Sequence, residues 1–329
     1  MFHVVSTALL VASGACAPAT PMQDLSGLRG NVKIDGSSTV YPITEAVAEE
    51  FRSVAPRVRL SVGYSGTGGG FKKFTTGETD ISDASRPIKP SELKMAKENG
   101  IEFIELPVAY DGLSVVVNKG NYWVDHLTVD EMKKIFVDDN PAKTWQDVRA
   151  DWPDREIRLF IPGTDSGTFD YFKEVVAGAK SIRSDVTASE DDNVLVKGVA
   201  GDETAIGFFG CAYYFENKDK LKVVPIVNPE LGKPITPTPE TIEDGTYAPF
   251  SRPLFIYVST KSAEREEVKA FVNFYLENAA EFADAVGYVR LPKAVYDRAM
   301  KNYETKKAGT QFMDANGEPV HGPVTKVYK

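Results

Sequence analysis

Val32-Lys33-Ile34 runs into Asp35-Gly36-Ser37-Ser38-Thr39, and Ile43, Val47, Phe51 and Val54 then recur at helical spacing. A short strand, a turn of small hydroxyl residues and an amphipathic helix therefore follow one another without a linker. The order returns at Ile157-Arg158-Leu159-Phe160-Ile161, which leads into Pro162-Gly163-Thr164-Asp165-Ser166-Gly167-Thr168 and a helix carrying Phe169, Phe172 and Val175 or Val176. Between and after them, Arg57-Val58-Arg59-Leu60-Ser61-Val62 alternates as a half-buried strand does. Further strands are expected at Phe103-Ile104-Glu105-Leu106, Leu113-Ser114-Val115-Val116-Val117, Ala205-Ile206-Gly207-Phe208-Phe209, Leu221-Lys222-Val223-Val224 and Leu254-Phe255-Ile256-Tyr257-Val258. Thr128-Val129-Asp130-Glu131 has capping-box spacing and opens a helix through Ile135 and Phe136. Two amphipathic helices are expected at about 262–286 and 292–303. This alternation argues for an α/β protein with mainly parallel strands.

The length of 329 residues fits two domains, at roughly 100–200 residues each. Hydrophobic residues make up 42% and charged residues 26%, which excludes a disordered or collagen-like chain. Lys and Arg number 38 against 47 Asp and Glu, a formal charge of −9. That is the opposite of the basic footprint of a nucleic-acid binder, and no membrane-surface cluster of Lys and Arg occurs. The histidines are His3, His126 and His321, and the cysteines Cys16 and Cys211. They are too few for a Cys/His zinc site, and only His126 lies in the body of the chain for a Ser-His-Asp triad. No P-loop occurs, the run 66–71 does not complete a dinucleotide-binding fingerprint, and neither Ser65 nor Ser166 sits in a nucleophile elbow. Asp80, Asp83, Asp165 and Asp170 lack the spacing of a metal loop, so neither metal nor cofactor is expected.

Residues 4–16 are small and apolar, too short to cross a bilayer and of the length of a secretory signal. Ser13-Gly14-Ala15-Cys16 looks like a bacterial lipoprotein cleavage box, with Cys16 as the lipidated residue. The alternative is an ordinary signal peptide cut near Ala17 or Ala19. Residues 17–30, with Pro18, Pro21, Gly27 and Gly30, read as a tether. With Cys16 modified, Cys211 has no partner for an intrachain disulfide.

Four loops share a composition: 36–39, 65–70, 82–86 and 163–168. Small hydroxyl residues with glycine at a helix start expose backbone N–H groups beside Ser/Thr donors, at the positive end of the helix dipole. In an open α/β sheet such turns gather at the carboxyl ends of strands, where ligands bind. Singly, each loop is equally a helix cap or a turn, and Arg86 a solvated charge. Four in one chain point to a shared oxyanion site.

In order along the chain stand Asp35-Gly36-Ser37-Ser38-Thr39-Val40-Tyr41-Pro42, Ser65-Gly66-Thr67-Gly68-Gly69-Gly70-Phe71, Asp80-Ile81-Ser82-Asp83-Ala84-Ser85-Arg86-Pro87 and Asp165-Ser166-Gly167-Thr168-Phe169-Asp170-Tyr171-Phe172. Together they resemble the periplasmic phosphate-binding protein family of the bacterial phosphate ABC transporter. Ala205-Ile206-Gly207-Phe208-Phe209-Gly210 and Arg252-Pro253-Leu254-Phe255-Ile256-Tyr257 fit the same family. The resemblance implies a type II periplasmic-binding-protein fold, two α/β lobes joined by two hinge crossings near Asn118 and Phe250. Lobe one would be 31–117 with 252–329, and lobe two 118–251. It implies a non-enzymatic receptor, with phosphate as ligand, the permease subunits of a transporter as partners, a monomeric state, and a place in the periplasm or on the outer face of the membrane.

Carried over residue by residue, Ser38 and Thr39, Thr67 or Ser65, Gly68, and Ser166, Gly167 and Thr168 would bind the anion. The best-known branch has an Asp where this chain has Ser85, and an Arg where it has Pro162. Arg86 beside Ser85 is expected to supply the cation. Asp83 or Asp165 is expected to accept the proton of HPO4²⁻ and so exclude sulfate. A sulfate-, molybdate- or tungstate-type binder and a phosphate-ester enzyme are the alternatives.

Overall fold

The computed structural model describes residues 24–329 apart from residues 165, 190, 315, 319 and 321. Strand β1 (Gly30–Gly36) leads into helix α1 (Tyr41–Val54), β2 (Val58–Val62) into α2 (Gly66–Phe74), and β3 (Ile81–Ala84) into α3 (Pro90–Glu98). The long strand β4 (Phe103–Asn118) is followed by α4 (Val129–Phe136), α5 (Trp145–Val148), β5 (Arg158–Pro162) and α6 (Gly167–Phe172). A π-helical turn, Lys173–Ala177, extends α6. Next come β6 (Thr187–Ser189), α7 (Asp192–Gly201), β7 (Ala205–Gly210), α8 (Cys211–Glu216) and β8 (Leu221–Val223). β9 (Ile226–Asn228) and β10 (Lys233–Ile235) form a separate ribbon. The chain then runs through α9 (Pro239–Glu243), β11 (Ser251–Ser259), α10 (Glu266–Ala285), α11 (Lys293–Glu304) and α12 (Val324–Val327).

The main sheet has the order β2-β1-β3-β11-β4-β7-β5-β6, with β8 also on β4. Within each lobe the strands are parallel: β1 with β2 and β3, and β5 with β6 and β7. The two strands between the lobes break the expected parallel pattern. β11 is antiparallel to both β3 and β4, and β4 is antiparallel to β7 and β8. The stretches 103–106 and 113–117, read from the sequence as two strands, are one strand that is buried at every residue. Pro107 and Gly112 hid this, since both residue types ordinarily end strands. Along β4 the partner changes from β11 at Gly112 to β7 at Leu113. Asn118, where the sequence reading put the crossing, is at the far end of the strand on β8. Pro253 sits in the middle of this ladder without an N–H to give. Tyr110 opposite it pairs its own N–H and C=O with Val289 instead, at 2.7 and 3.0 Å.

In lobe one, α1 and α10 meet through edge contacts of Phe51 with Phe271 and Phe274, and through a 3.1 Å bond between the Thr44 and Tyr275 hydroxyls. The C-terminal segment is tied to β4 by the buried Glu105. Its carboxylate accepts from Tyr257, Thr310 and the Gln311 N–H at 2.7, 2.7 and 2.9 Å. Thr128 caps α4 as its spacing predicts, exchanging bonds with Glu131.

In lobe two, Phe172 at the end of α6 is stacked on Phe208 at 3.8 Å, with Phe250 of the second crossing parallel to it at 5.8 Å. This ring fixes the helix that enters the cleft. Phe172→Ala should lower unfolding stability by about 3–5 kcal/mol, the usual cost of emptying a buried aromatic site. Chemical denaturation measures it, and a loss under about 1 kcal/mol would show that the site collapses around the gap.

Candidate functional site

The carboxyl ends of β1 and β3 and the start of α2 meet at a cavity of about 160 Å³. Its lobe-one wall is Ser38, Thr39, Thr67, Gly68, Ser85 and Arg86. Asp170 and Glu174 from lobe two and Arg252 from β11 close it. Local chemistry sets each position. The Thr39 N–H donates to Ser37 Oγ at 3.2 Å and turns the chain into α1, where Pro42 occupies the first turn without losing a needed bond. The Thr67 and Ser85 hydroxyls lie 3.0 Å apart, and Thr67 Oγ1 also accepts the Ser85 N–H at 3.2 Å. Helix α2 can lie this close to β1 because Gly70 has no side chain: a Cβ there would be 2.5 Å from Gly36 Cα.

Ser166, Gly167 and Thr168 open α6 on the far side of the cleft. With Ser38 and Tyr41 they line a wider opening of about 520 Å³ beside the small cavity. Ser166 Oγ caps the helix by accepting the Thr168 N–H at 3.2 Å. Gly167 presses on Thr39, where a Cβ would come within 2.3 Å of Oγ1 and 2.8 Å of Cα. The lobes touch at this point, and only glycine allows it.

Some expected residues are elsewhere. Ser65 is turned away from the cavity, its N–H and hydroxyl both bonded to Asp35 Oδ1 at 3.0 and 2.5 Å. Asp35 also holds Lys73 at 2.5 Å, so Ser65 serves a packing contact and Thr67 takes the wall. Asp83 is fully buried and does not line the cavity. Its carboxyl lies near Thr44 and Tyr275, at the contact of α1 with α10. Asp165 and Cys16 lie outside the described residues.

Two guanidinium groups reach the cavity. Arg86, the expected cation, forks onto Glu92 at 2.8 and 2.9 Å and gives a third bond to the Pro87 carbonyl at 3.1 Å. Arg252 belongs to the motif 252–257 and carries no site role in the sequence reading. Its Nε donates to the buried Asp111 at 3.2 Å and its Nη2 to Thr39 Oγ1 at 3.2 Å. Burial pushes the Asp111 carboxyl up, and Arg252 beside it opposes the shift. Burial also raises Asp170 at the cavity mouth, where Lys173 and Arg252 pull the other way and Glu174 adds to the rise. Hydroxyls, helix-start N–H groups and a guanidinium around a small space suit a tetrahedral oxyanion. Among the described residues no group of His, Cys, Asp and Glu could hold a metal ion.

Asp83 has its own signature. Burial pushes its carboxyl up to about 8; the Thr44 hydroxyl opposes this and the charge on Asp35 adds to it. Neither carboxyl oxygen has a hydrogen-bond partner among the described residues. The folded value lies above the ordinary 3.8, so the folded chain keeps a proton that the unfolded chain releases. That stabilisation is complete below the unfolded value and is lost as pH rises toward the folded one. Between about pH 5 and 7.5 stability should therefore fall, and Asp83→Asn should flatten the fall by up to about 1.4 kcal/mol per pH unit. Denaturant titrations across this range measure it, and parallel curves for both proteins would place the titration of Asp83 at its ordinary value.

Comparison with known proteins agrees with this architecture. The PBP superfamily domain model matches residues 23–279. Protein SphX of Synechococcus elongatus is 49% identical over 306 residues, covering 92% of this chain and 90% of that protein. The phosphate-binding protein PstS of Staphylococcus haemolyticus is 41% identical over 316 residues, covering 93% and 98%. Among solved structures, a possible phosphate binding protein from Planctomyces limnophilus superposes with a TM-score of 0.82 at 47% identity, covering 85% of this chain and 99% of that one. With its two α/β lobes joined by β4 and β11, the chain belongs to the PBP superfamily, in the family that holds SphX and the phosphate-binding protein PstS.

Proposed function

We propose that the protein is a receptor for inorganic phosphate outside the cytoplasmic membrane, which delivers its anion to the membrane subunits of an ABC transporter. The observation that carries this is the small cavity of paired hydroxyls, glycine N–H groups and guanidinium at the strand ends of lobe one, with α6 of lobe two closing on it. The names of its relatives support the same ligand. The reading is of binding without catalysis, by a monomer, with the lobe boundary on β4 at Gly112–Leu113, where the strand changes partner. Among the described residues no helix is long and apolar enough to cross a membrane. Anchoring through a lipidated Cys16 remains part of the proposal. The formal charge of −9 does not oppose anion binding, because oriented dipoles and a guanidinium at short range outweigh a screened distant field.

Selectivity needs an acceptor for the proton that HPO4²⁻ carries and sulfate lacks. With Asp83 buried away from the cavity, Asp170 at its mouth takes that role in this reading. Sulfate there would set two acceptors face to face.

Calorimetry should give a 1:1 complex with phosphate and far weaker binding of sulfate, and phosphate should raise the melting temperature by mass action. No melting shift at millimolar phosphate, with protein verified ligand-free, would refute the reading. Asp170→Asn should narrow the phosphate-to-sulfate preference by about tenfold or more, since an amide can donate to sulfate. An unchanged ratio would remove Asp170 from the account and leave phosphate binding standing.

A further inference from the structure

Arg252 lies in β11 directly opposite Asp111 of β4, one residue from the point where β4 changes lobes. Its guanidinium touches both sides of the cleft. Nη2 donates to Thr39 Oγ1 of lobe one at 3.2 Å, and Cζ stands 3.7 Å above the Tyr171 ring of lobe two. Nη1 is 3.9 Å from Glu174 Oε2, also of lobe two, beyond hydrogen-bond range. Asp111 holds the group through Nε and Nη2, both on its Oδ2 at 3.2 Å. The Asp111 side chain is 1% exposed and that of Arg252 12%.

The two arginines of the cavity are thus engaged in different ways. Arg86 presents its two terminal nitrogens to both oxygens of Glu92, the edge that an oxyanion would need. Arg252 is held on its side edge by a single carboxylate oxygen. Among the described residues its Nη1 makes no hydrogen bond, and Arg252 and Glu174 both line the cavity. Its bond to Thr39 Oγ1 uses that hydroxyl as an acceptor, so the Thr39 O–H remains available to donate to an anion.

We propose that Arg252, and not Arg86, is the cation that binds the anion, and that its seat on the crossing strands couples binding to lobe closure. The inference rests on the phosphate reading and assigns that site its charge. An anion on Nη1 displaces Glu174 as the nearest negative group while Tyr171 and Thr39 stay packed on the same guanidinium. The bound ion therefore draws on contacts that exist only with the lobes together, which is the condition for a ligand to bias a hinge.

The test compares wild type, Arg252→Ala, Arg252→Lys and Arg86→Ala by calorimetry with inorganic phosphate and by small-angle scattering with and without it. Arg252→Ala should weaken binding by about 100-fold or more and abolish the phosphate-induced compaction. Because that variant leaves Asp111 buried beside no cation, Arg252→Lys serves as the second probe. It keeps the charge, loses the planar fork, and should still weaken binding by about tenfold or more. Arg86→Ala should lose less than about tenfold and still compact. Near-wild-type affinity in Arg252→Lys together with a collapse of binding in Arg86→Ala would overturn the assignment. Failure of the wild type to bind phosphate would instead overturn the parent reading, and this inference with it.

Discussion

Everything in this molecule hangs on the antiparallel pairing of β4 with β11. The two strands carry the chain between lobes that are otherwise parallel sheets, and β4 is buried along its whole length. A strand in that position can leave no backbone group unpaired, since each orphan costs a large part of a hydrogen bond. Tyr110 shows how strictly this is met: opposite the donor-less Pro253, it turns to Val289 for both bonds. Glu105 then uses the same strand to collect Tyr257, Thr310 and Gln311, so that the C-terminal segment is secured to the crossing and not to a lobe surface.

Within this apolar crossing an ion pair is out of place on stability grounds. Burying two charges costs several kcal/mol per ion, repaid only by close, multiply bonded geometry. Asp111 and Arg252 meet through a single carboxylate oxygen at 3.2 Å, a weaker arrangement than the fork of Arg86 on Glu92. Hydrophobic residues of the same size would serve the fold at least as well. The pair makes sense as a means of holding a positive charge where both lobes can reach it, with Asp111 limiting the cost of keeping it dry. A chain of net charge −9 needs such a local device, because its overall field repels anions beyond a Debye length only weakly and attracts none.

Much of this was legible in the sequence. The alternation of strands and helices predicted the lobes; three of the four glycine-hydroxyl loops line the small cavity and the fourth lines the wider opening beside it, because caps and turns are written in local residue types. What depended on distant pairing was not legible. Ser65 and Thr67 are equivalent by composition, and only the carboxylate of Asp35, thirty residues earlier, decides that Ser65 faces it. Asp83 was read as a site acid because it is near Ser85 in sequence, yet two residues along a strand point to the same face only while the strand lasts, and β3 ends at Ala84. Arg252 lies 141 residues from its partner Asp111, beyond any local pattern.

Ser85 brings a hydroxyl, and no acid, to the lobe-one wall. The Thr67 and Ser85 hydroxyls, 3.0 Å apart, can each donate or accept, so lobe one alone offers a lining that a protonated and an unprotonated oxyanion satisfy equally. The carboxylates that line the cavity, Asp170 and Glu174, come from α6 and its π-helical extension on the other lobe. In this structure they stand at the cavity with Gly167 packed on Thr39. On the proposed reading, a permissive lining on one lobe and acids on the other separate capture from discrimination: lobe one and the crossing arginine would take any tetrahedral anion, and the closing lobe would reject the one that cannot donate a proton. On that reading selectivity is a property of the closed state, because the acids come from the lobe that packs onto the hydroxyl lining.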